Sequence, residues 1–273
     1  RYFYDETHFR NAVGKMAIAR MFNDISVYYP DDFGEVVTVE NVKEHVDDMF
    51  EIINDTSEYT IKVPILMYHH IKEGANSDVT ITPELFEEHI KTLSENGYTG
   101  VMINDLVEYV EKGIPLPEKP ICITFDDGYL SNYELAFPIL KKYNMKATIF
   151  VIGSSIGKDK YKDTNYEIIP HFGFEEANIM QQSGLIDIQS HTYDMHQAEK
   201  YESGDKVREC AVELKNETEG EFIKALTDDY NKMEQIFEEK MNKKITALAY
   251  PHGEYSTLSS VVLKSLGVKA TFG

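Results

Sequence analysis

From residue 62 onward the chain alternates short apolar runs with amphipathic stretches. VPILMY, YTGVMI, PICITF, KATIFVI, LIDIQS, ITALAY and VKATF are the apolar runs, and each reads as a strand, which makes seven. Between the first two, TPELFEEHIKTLSENG carries the punctuation of a helix, with Thr82 as N-cap, Pro83 at the first helical position and Gly97 at the end. A repeated strand and helix alternation predicts parallel strands, hence a barrel or a doubly wound sheet. Seven units without a dinucleotide-binding glycine fingerprint favour the barrel.

The first 60 or so residues follow a different pattern. FRNAVGKMAIARMF has helical apolar spacing, and VENVKEHVDDMFEII places Val39, Val42, Val46, Met49 and Ile53 on a 3-4 rhythm. YYPDDFGE between them reads as a loop. Residues 1–61 are therefore predicted as a small N-terminal helical appendage or linker, and 62–273 as the barrel. Tyr201 to Gly220, rich in Glu, Lys, Ser and Gly, reads as a solvated excursion before the long helix EFIKALTDDYNKMEQIFEEKM.

Composition narrows the function. At 273 residues and 42% hydrophobic content, the chain can bury the core of a barrel-sized domain with a small addition. Its formal charge of −20, from 27 Lys+Arg against 47 Asp+Glu, argues against nucleic acid and against an anionic membrane surface. Neutral and cationic substrates stay open. No stretch approaches the roughly 18 consecutive apolar residues of a transmembrane helix. Cys122 lies in the apolar run PICITF and Cys210 in a polar stretch read as helical, so no disulfide framework is expected. Because the chain begins at Arg1, a leader already removed and a start inside a longer protein are equally compatible with it.

The polar chemistry gathers at the ends of the predicted strands. The first ends in His69 and His70, the third in Asp126 and Asp127, the fifth runs into SHTYDMH with His191 and His196, and the sixth into YPHGEY with His252. One carboxylate with two imidazoles is a ligand set for catalytic zinc, leaving an open position for water and the second carboxylate as a base. Two acids before a glycine also form ordinary turns and caps. His191 and His196 would lie about 140° apart on a helix and on opposite faces of a strand, so they meet one ion only if the chain bends, at Thr192 and Tyr193. His69 and His70 suit site lining and packing equally, while His89 and His171 receive no role. No Arg or Lys cluster stands at the strand ends, which disfavours a phosphoesterase.

Taken together, TFDDGY, SHTYDMH and AYPHGEY, each behind an apolar run, resemble in order and context the polysaccharide deacetylase family of NodB-type carbohydrate esterases. VPILMYHHI resembles the family's first strand, and the likeness spans about residues 62 to 273. The His191 to His196 spacing points to the branch that contains poly-N-acetylglucosamine deacetylases. The resemblance implies a distorted (β/α) barrel of about seven strands. It implies that Asp127, His191 and His196 hold one divalent metal, usually zinc with nickel, cobalt or iron(II) as alternatives, and that Asp126 is the general base. It also implies that the backbone N–H of His252 stabilises the oxyanion, in a turn shaped by Pro251 and Gly253. Tyr129, Pro251 and Tyr255 are expected at the substrate. The implied activity is removal of acetyl groups from N-acetylated polysaccharide (poly-N-acetylglucosamine, peptidoglycan or similar), at the cell surface or outside the cell.

Two departures accompany the resemblance. Ala249 and His252 stand where the third motif often has an arginine and an aromatic. The family's last motif supplies a histidine as general acid from beyond the final strand, whereas this sequence reaches Gly273, so either the chain is truncated before that motif or another group protonates the leaving amine. His69 and His252 are the remaining candidates for that proton, and activated esters are expected to react faster than acetamides. The rival expectation is a catalytically impaired, carbohydrate-binding homologue of the same fold. No oligomeric state is assigned.

Overall fold

All seven apolar runs form strands of one parallel sheet. The computed structural model describes residues 63–74, 77, 79–202 and 207–273, so the helical appendage expected over 1–61 lies outside the described residues. In chain order the strands are β1 (Ile65–Tyr68), β2 (His70–Ile71), β3 (Thr80–Ile81), β4 (Thr99–Val101), β5 (Pro120–Phe125), β6 (Ala147–Val151), β7 (Ile186–Ser190), β8 (Ala247–Ala249) and β9 (Ala270–Phe272). The helices are α1 (Pro83–Glu95), α2 (Ile103–Lys112), α3 (Phe137–Tyr143), α4 (Phe174–Gln182), α5 (Glu219–Met241) and α6 (Thr257–Leu266). Strands β2 and β3, absent from the sequence reading, pair with each other in a separate two-stranded sheet. Among the described residues no helix is long and apolar enough to cross a membrane.

The main sheet runs β1-β5-β6-β7-β8-β9, and its two outer strands do not pair among the described residues. It is thus a curled half-barrel, the distorted (β/α) barrel expected. A further irregularity falls at β5. Strand β4 pairs with the first half of β5, from Thr99 opposite Pro120 to Val101 opposite Cys122. β6 takes over at Thr124 and Phe125. Gly100 makes this wedge possible, since a Cβ there would stand 2.6 Å from the backbone nitrogen of Lys146. Backbone cannot rotate away from such a clash, so Gly100→Ala is expected to cost about 1–3 kcal/mol of unfolding free energy, read by denaturant titration.

Side-chain alternation on the strands builds two clusters. Ile121, Ile123 and Phe125 of β5 and Ile149 and Val151 of β6 join the large cluster that most of the helices cover. Cys122, Phe150, Ala247 and Ala249 face the other way, where Ile103 and Leu106 of α2 close over them. α1 has the punctuation expected: Thr82 Oγ1 accepts from Leu85 N at 3.2 Å, and Pro83 opens the helix. α5 starts two residues earlier than the run read from the sequence, at Glu219, behind a reciprocal cap in which Thr218 and Glu221 exchange hydrogen bonds.

The described part of the Tyr201 to Gly220 stretch is solvated at Glu209, Lys215, Asn216 and Thr218 to Gly220, but part of it folds back onto the domain. Arg208 forms a two-point pair with Glu217, at 2.5 and 3.2 Å, and its guanidinium lies 5.7 Å from the Phe222 ring centroid. Ala211 is fully buried. Cys210 sits in a bend instead of a helix, and both cysteines are free thiols.

Candidate metal centre

Because all the strands of the main sheet are parallel, the C-terminal ends of β1, β5, β7 and β8 open on one side, and there His69, Asp126, His191 and His252 follow. The turn after β5 is held tightly. Asp126 N donates to Tyr68 O at 2.9 Å, Gly128 N to Asp126 O at 2.9 Å and Ile152 N to Asp127 O at 3.3 Å. Asp127 has φ +71° and Gly128 φ +84°, and a Cβ on Gly128 would meet Val151 Cγ1 at 2.7 Å. This reversal of backbone direction turns Asp127 back into the mouth.

The bend that the histidine spacing requires exists, and it falls at Thr192, with φ +70°. Gly153 N and Ser154 N donate to the carbonyls of Thr192 and Tyr193 at 3.0 and 2.8 Å, and Met195 N donates to Thr192 Oγ1 at 3.2 Å. His196 thereby comes round to His191, their rings 5.2 Å apart and nearly perpendicular. Nε2 of His191 lies 3.6 Å from Asp127 Oδ1, and Nε2 of His196 lies 3.5 Å from it. One ligand atom from each of the three residues falls within 4.8 Å of the others.

These residues fit a divalent cation on independent grounds. Asp127 Oδ1 is buried without a hydrogen-bond partner, a costly arrangement unless a cation completes it. His191 Nδ1 is 2.8 Å from Ala249 O, which can only accept, so Nδ1 donates and Nε2 keeps its lone pair. Burial holds His191 down to about 3 and also lowers His196, which keeps both imidazoles neutral and able to ligate.

The two acids are driven apart. Burial raises Asp126 to about 7, with His69 opposing and Asp127 adding to the rise. Burial also acts upward on Asp127, but His69, His191, His196 and the Tyr129 hydroxyl overcome it and hold that carboxyl at about 2. Such a separation marks one group for holding charge and the other for exchanging a proton. His69 Nε2 stands 4.0 Å from Asp126 Oδ2. Ala249 offers only a small buried side chain and its carbonyl.

The remaining expected residues separate into two groups. His252 reaches the centre, its ring 4.5 Å from that of His196 and its backbone at φ +57°. Asp127, Thr192 and His252 are thus three non-glycine residues in the left-handed region around one mouth, a concentration of strain typical of functional sites. Tyr129 packs between His70, at 5.1 Å, and His171, at 5.0 Å, with its hydroxyl acting on Asp127. Pro251 is buried, and Tyr255 stacks on Tyr250 at 5.1 Å. His70 Nδ1 hydrogen-bonds Ser131 Oγ at 2.8 Å, and Asn132 Nδ2 donates to His69 O at 2.8 Å, so SN of ITFDDGYLSN pins the histidine pair. His171, assigned no role from the sequence, lies against Tyr129 with Nδ1 buried and unpartnered. It belongs to a long irregular segment with no period to read.

Comparison with known proteins agrees with the fold. The polysaccharide deacetylase family profile matches residues 113–271, and the chain belongs to that family. It is 34% identical over 200 residues to YxkH of Bacillus subtilis (strain 168), whose name places it among polysaccharide deacetylases, covering 73% of this chain and 60% of that one. It is 29% identical over 193 residues to the poly-beta-1,6-N-acetyl-D-glucosamine N-deacetylase of Staphylococcus aureus (strain MRSA252), covering 71% of this chain and 60% of that one. The chain therefore spans about 60% of the length of these curated relatives. Among solved structures, a de-N-acetylase from Aggregatibacter actinomycetemcomitans superposes with a TM-score of 0.65 at 25% identity, over 77% of this chain and 86% of that one.

Proposed function

We propose that this protein is a divalent-metal-dependent hydrolase that removes acetyl groups from N-acetylated polysaccharide, with a poly-N-acetylglucosamine type of polymer as substrate and the cell surface or exterior as its place of action. One observation carries the reading: the buried, unbonded Oδ1 of Asp127 faces two neutral imidazoles, with a second carboxylate of raised affinity for protons next to it. The relatedness to a poly-beta-1,6-N-acetyl-D-glucosamine N-deacetylase supports the polymer class.

Asp127, His191 and His196 would hold the metal, most simply zinc, which when bound supplies Lewis acidity toward water and the acetyl carbonyl. Asp126 takes the proton of the attacking water. The backbone N–H of His252 donates to the oxygen that gains charge as water adds to the carbonyl carbon. The C–N bond then breaks, acetate leaves, and the amine nitrogen receives a proton. His69, 4.0 Å from Asp126, is the group in place to deliver it. The lack of a cationic patch among these groups suits an uncharged glycan.

Acetate release from β-1,6-linked N-acetylglucosamine oligomers, with zinc present, tests the proposal. Zinc-dependent release is expected. Oligomer binding without any acetate would instead make the chain a carbohydrate-binding relative. The role of His69 is tested by comparing substrates, because a phenolate leaves without a proton and an amine does not. His69→Gln is expected to slow acetamide cleavage by about 10²- to 10⁴-fold while leaving activated acetyl esters nearly unaffected. Equal losses on both substrates, or none, would remove His69 from the role of acid.

A further inference from the structure

The bend between the two histidines is gripped from outside by a side chain that no motif contains. Tyr193 N donates to Asp229 Oδ2 at 2.8 Å, and Asp194 N donates to Asp229 Oδ1 at 2.7 Å. Asp229 lies on α5, 33 residues beyond His196 in the chain (229 less 196). We infer that Asp229 is a positioning residue for the metal centre: it locks the backbone between His191 and His196 so that both imidazoles face Asp127. This rests on the proposed metal site.

Three observations carry the inference. First, both oxygens of this carboxylate go to consecutive amides of the bend, the fork geometry that fixes a peptide orientation instead of a single atom. Second, Asp229 is a buried acid, and burial raises it to about 6 against the pull of those two amides. The cation that acts on it, Arg208, is itself held two-point by Glu217. A buried carboxylate without its own ion pair is expensive, and among the described residues Asp229 has none and directs its hydrogen bonds to the loop between His191 and His196. Third, neighbouring residues of α5 enclose the same loop residue: Lys232 Nζ is 4.0 Å from the Tyr193 ring centroid. A Cβ on Gly153 would meet both Met233 Sδ and Tyr193 Cδ2 at 2.6 Å, so loop, helix and the 153 turn are in close contact.

The arrangement divides the work on the loop. Gly153 and Ser154 hold the carbonyls of Thr192 and Tyr193, while Asp229 holds the amides of Tyr193 and Asp194. Thr192 in its strained left-handed conformation is what these clamps oppose. Released on the amide side, the bend relaxes and the His196 imidazole leaves its place.

Zinc affinity, measured by competition with a chromophoric chelator, tests this in wild type, Asp229→Ala, Asp229→Asn and Phe237→Leu. Asp229→Ala is expected to weaken zinc about 10- to 100-fold, as loss of a residue supporting a metal ligand does, and to shift the visible d–d bands of the cobalt-loaded protein. Asp229→Asn keeps the shape and one accepting oxygen, so it should fall between, and it serves if the alanine variant does not fold. Phe237→Leu, on the same helix and fully buried, should lower thermal stability and leave zinc affinity unchanged. Unchanged zinc affinity in both Asp229 variants, or an equal loss in Phe237→Leu, overturns the positioning role alone. A wild-type protein that binds no zinc overturns the metal site and this role together.

Discussion

Asp126→Asn is expected to retain wild-type zinc affinity and to release acetate at least about 10²- to 10⁴-fold more slowly. The backbone bonds that shape the turn, from Asp126 N to Tyr68 O and from Gly128 N to Asp126 O, do not involve the side chain and survive the exchange. Asparagine fills the same volume, yet it cannot accept a proton at any working pH. The proposed ligand group is Asp127, His191 and His196, so removing the neighbouring charge leaves those side chains in place. Metal content by mass spectrometry and acetate release, measured on the same sample, check both halves. Wild-type turnover in the variant would reduce Asp126 to a turn residue. Loss of metal would make it a ligand.

His191→Ala should abolish stoichiometric metal binding. The substitution removes one of the three proposed ligands, which should exceed the roughly 10- to 100-fold effect of losing a supporting partner. It also leaves Ala249 O without its donor in a buried place. Thermal denaturation gives an independent reading. Zinc at 100 times its dissociation constant stabilises a protein that binds it only when folded by about 2.7 kcal/mol, so zinc should raise the melting temperature of wild type and leave that of His191→Ala where it was. Equal metal and equal thermal shift in both proteins would exclude His191 from the site.

Much of this was readable in the sequence because its signals are local and periodic. Seven short apolar runs, each long enough to cross the sheet, specify strands, and the helical stretches between them make those strands parallel. The acids and histidines were legible because they follow directly behind those runs. What escaped has physical causes. Strands β2 and β3 are two residues each, too short for any alternation to register. The π-helical turn at Asn132–Ala136 arises where Pro138 offers no N–H to the carbonyl of Glu134, and Phe137 N meets Asn132 O instead. The Arg208 to Glu217 pair turns a polar stretch inward, and composition alone reads such a stretch as solvated.

The bend at Thr192 shows the boundary most clearly. The sequence demanded it, since His191 and His196 cannot otherwise share an ion, but held no sign of what produces it. Threonine is a poor residue for a positive φ, and neither glycine nor proline marks the place. The causes lie elsewhere in the chain, at Gly153, Ser154 and Asp229, and only the folded structure brings them to the loop.

Anomalous diffraction at the zinc edge, from crystals of the protein grown with zinc, tests the central claim most directly. The account predicts one strong peak at the mouth of the half-barrel, about 2.0–2.2 Å from Asp127 Oδ1, His191 Nε2 and His196 Nε2, with Asp126 outside the coordination sphere. A peak bound by other residues, or none at this mouth in protein that releases acetate, would contradict it.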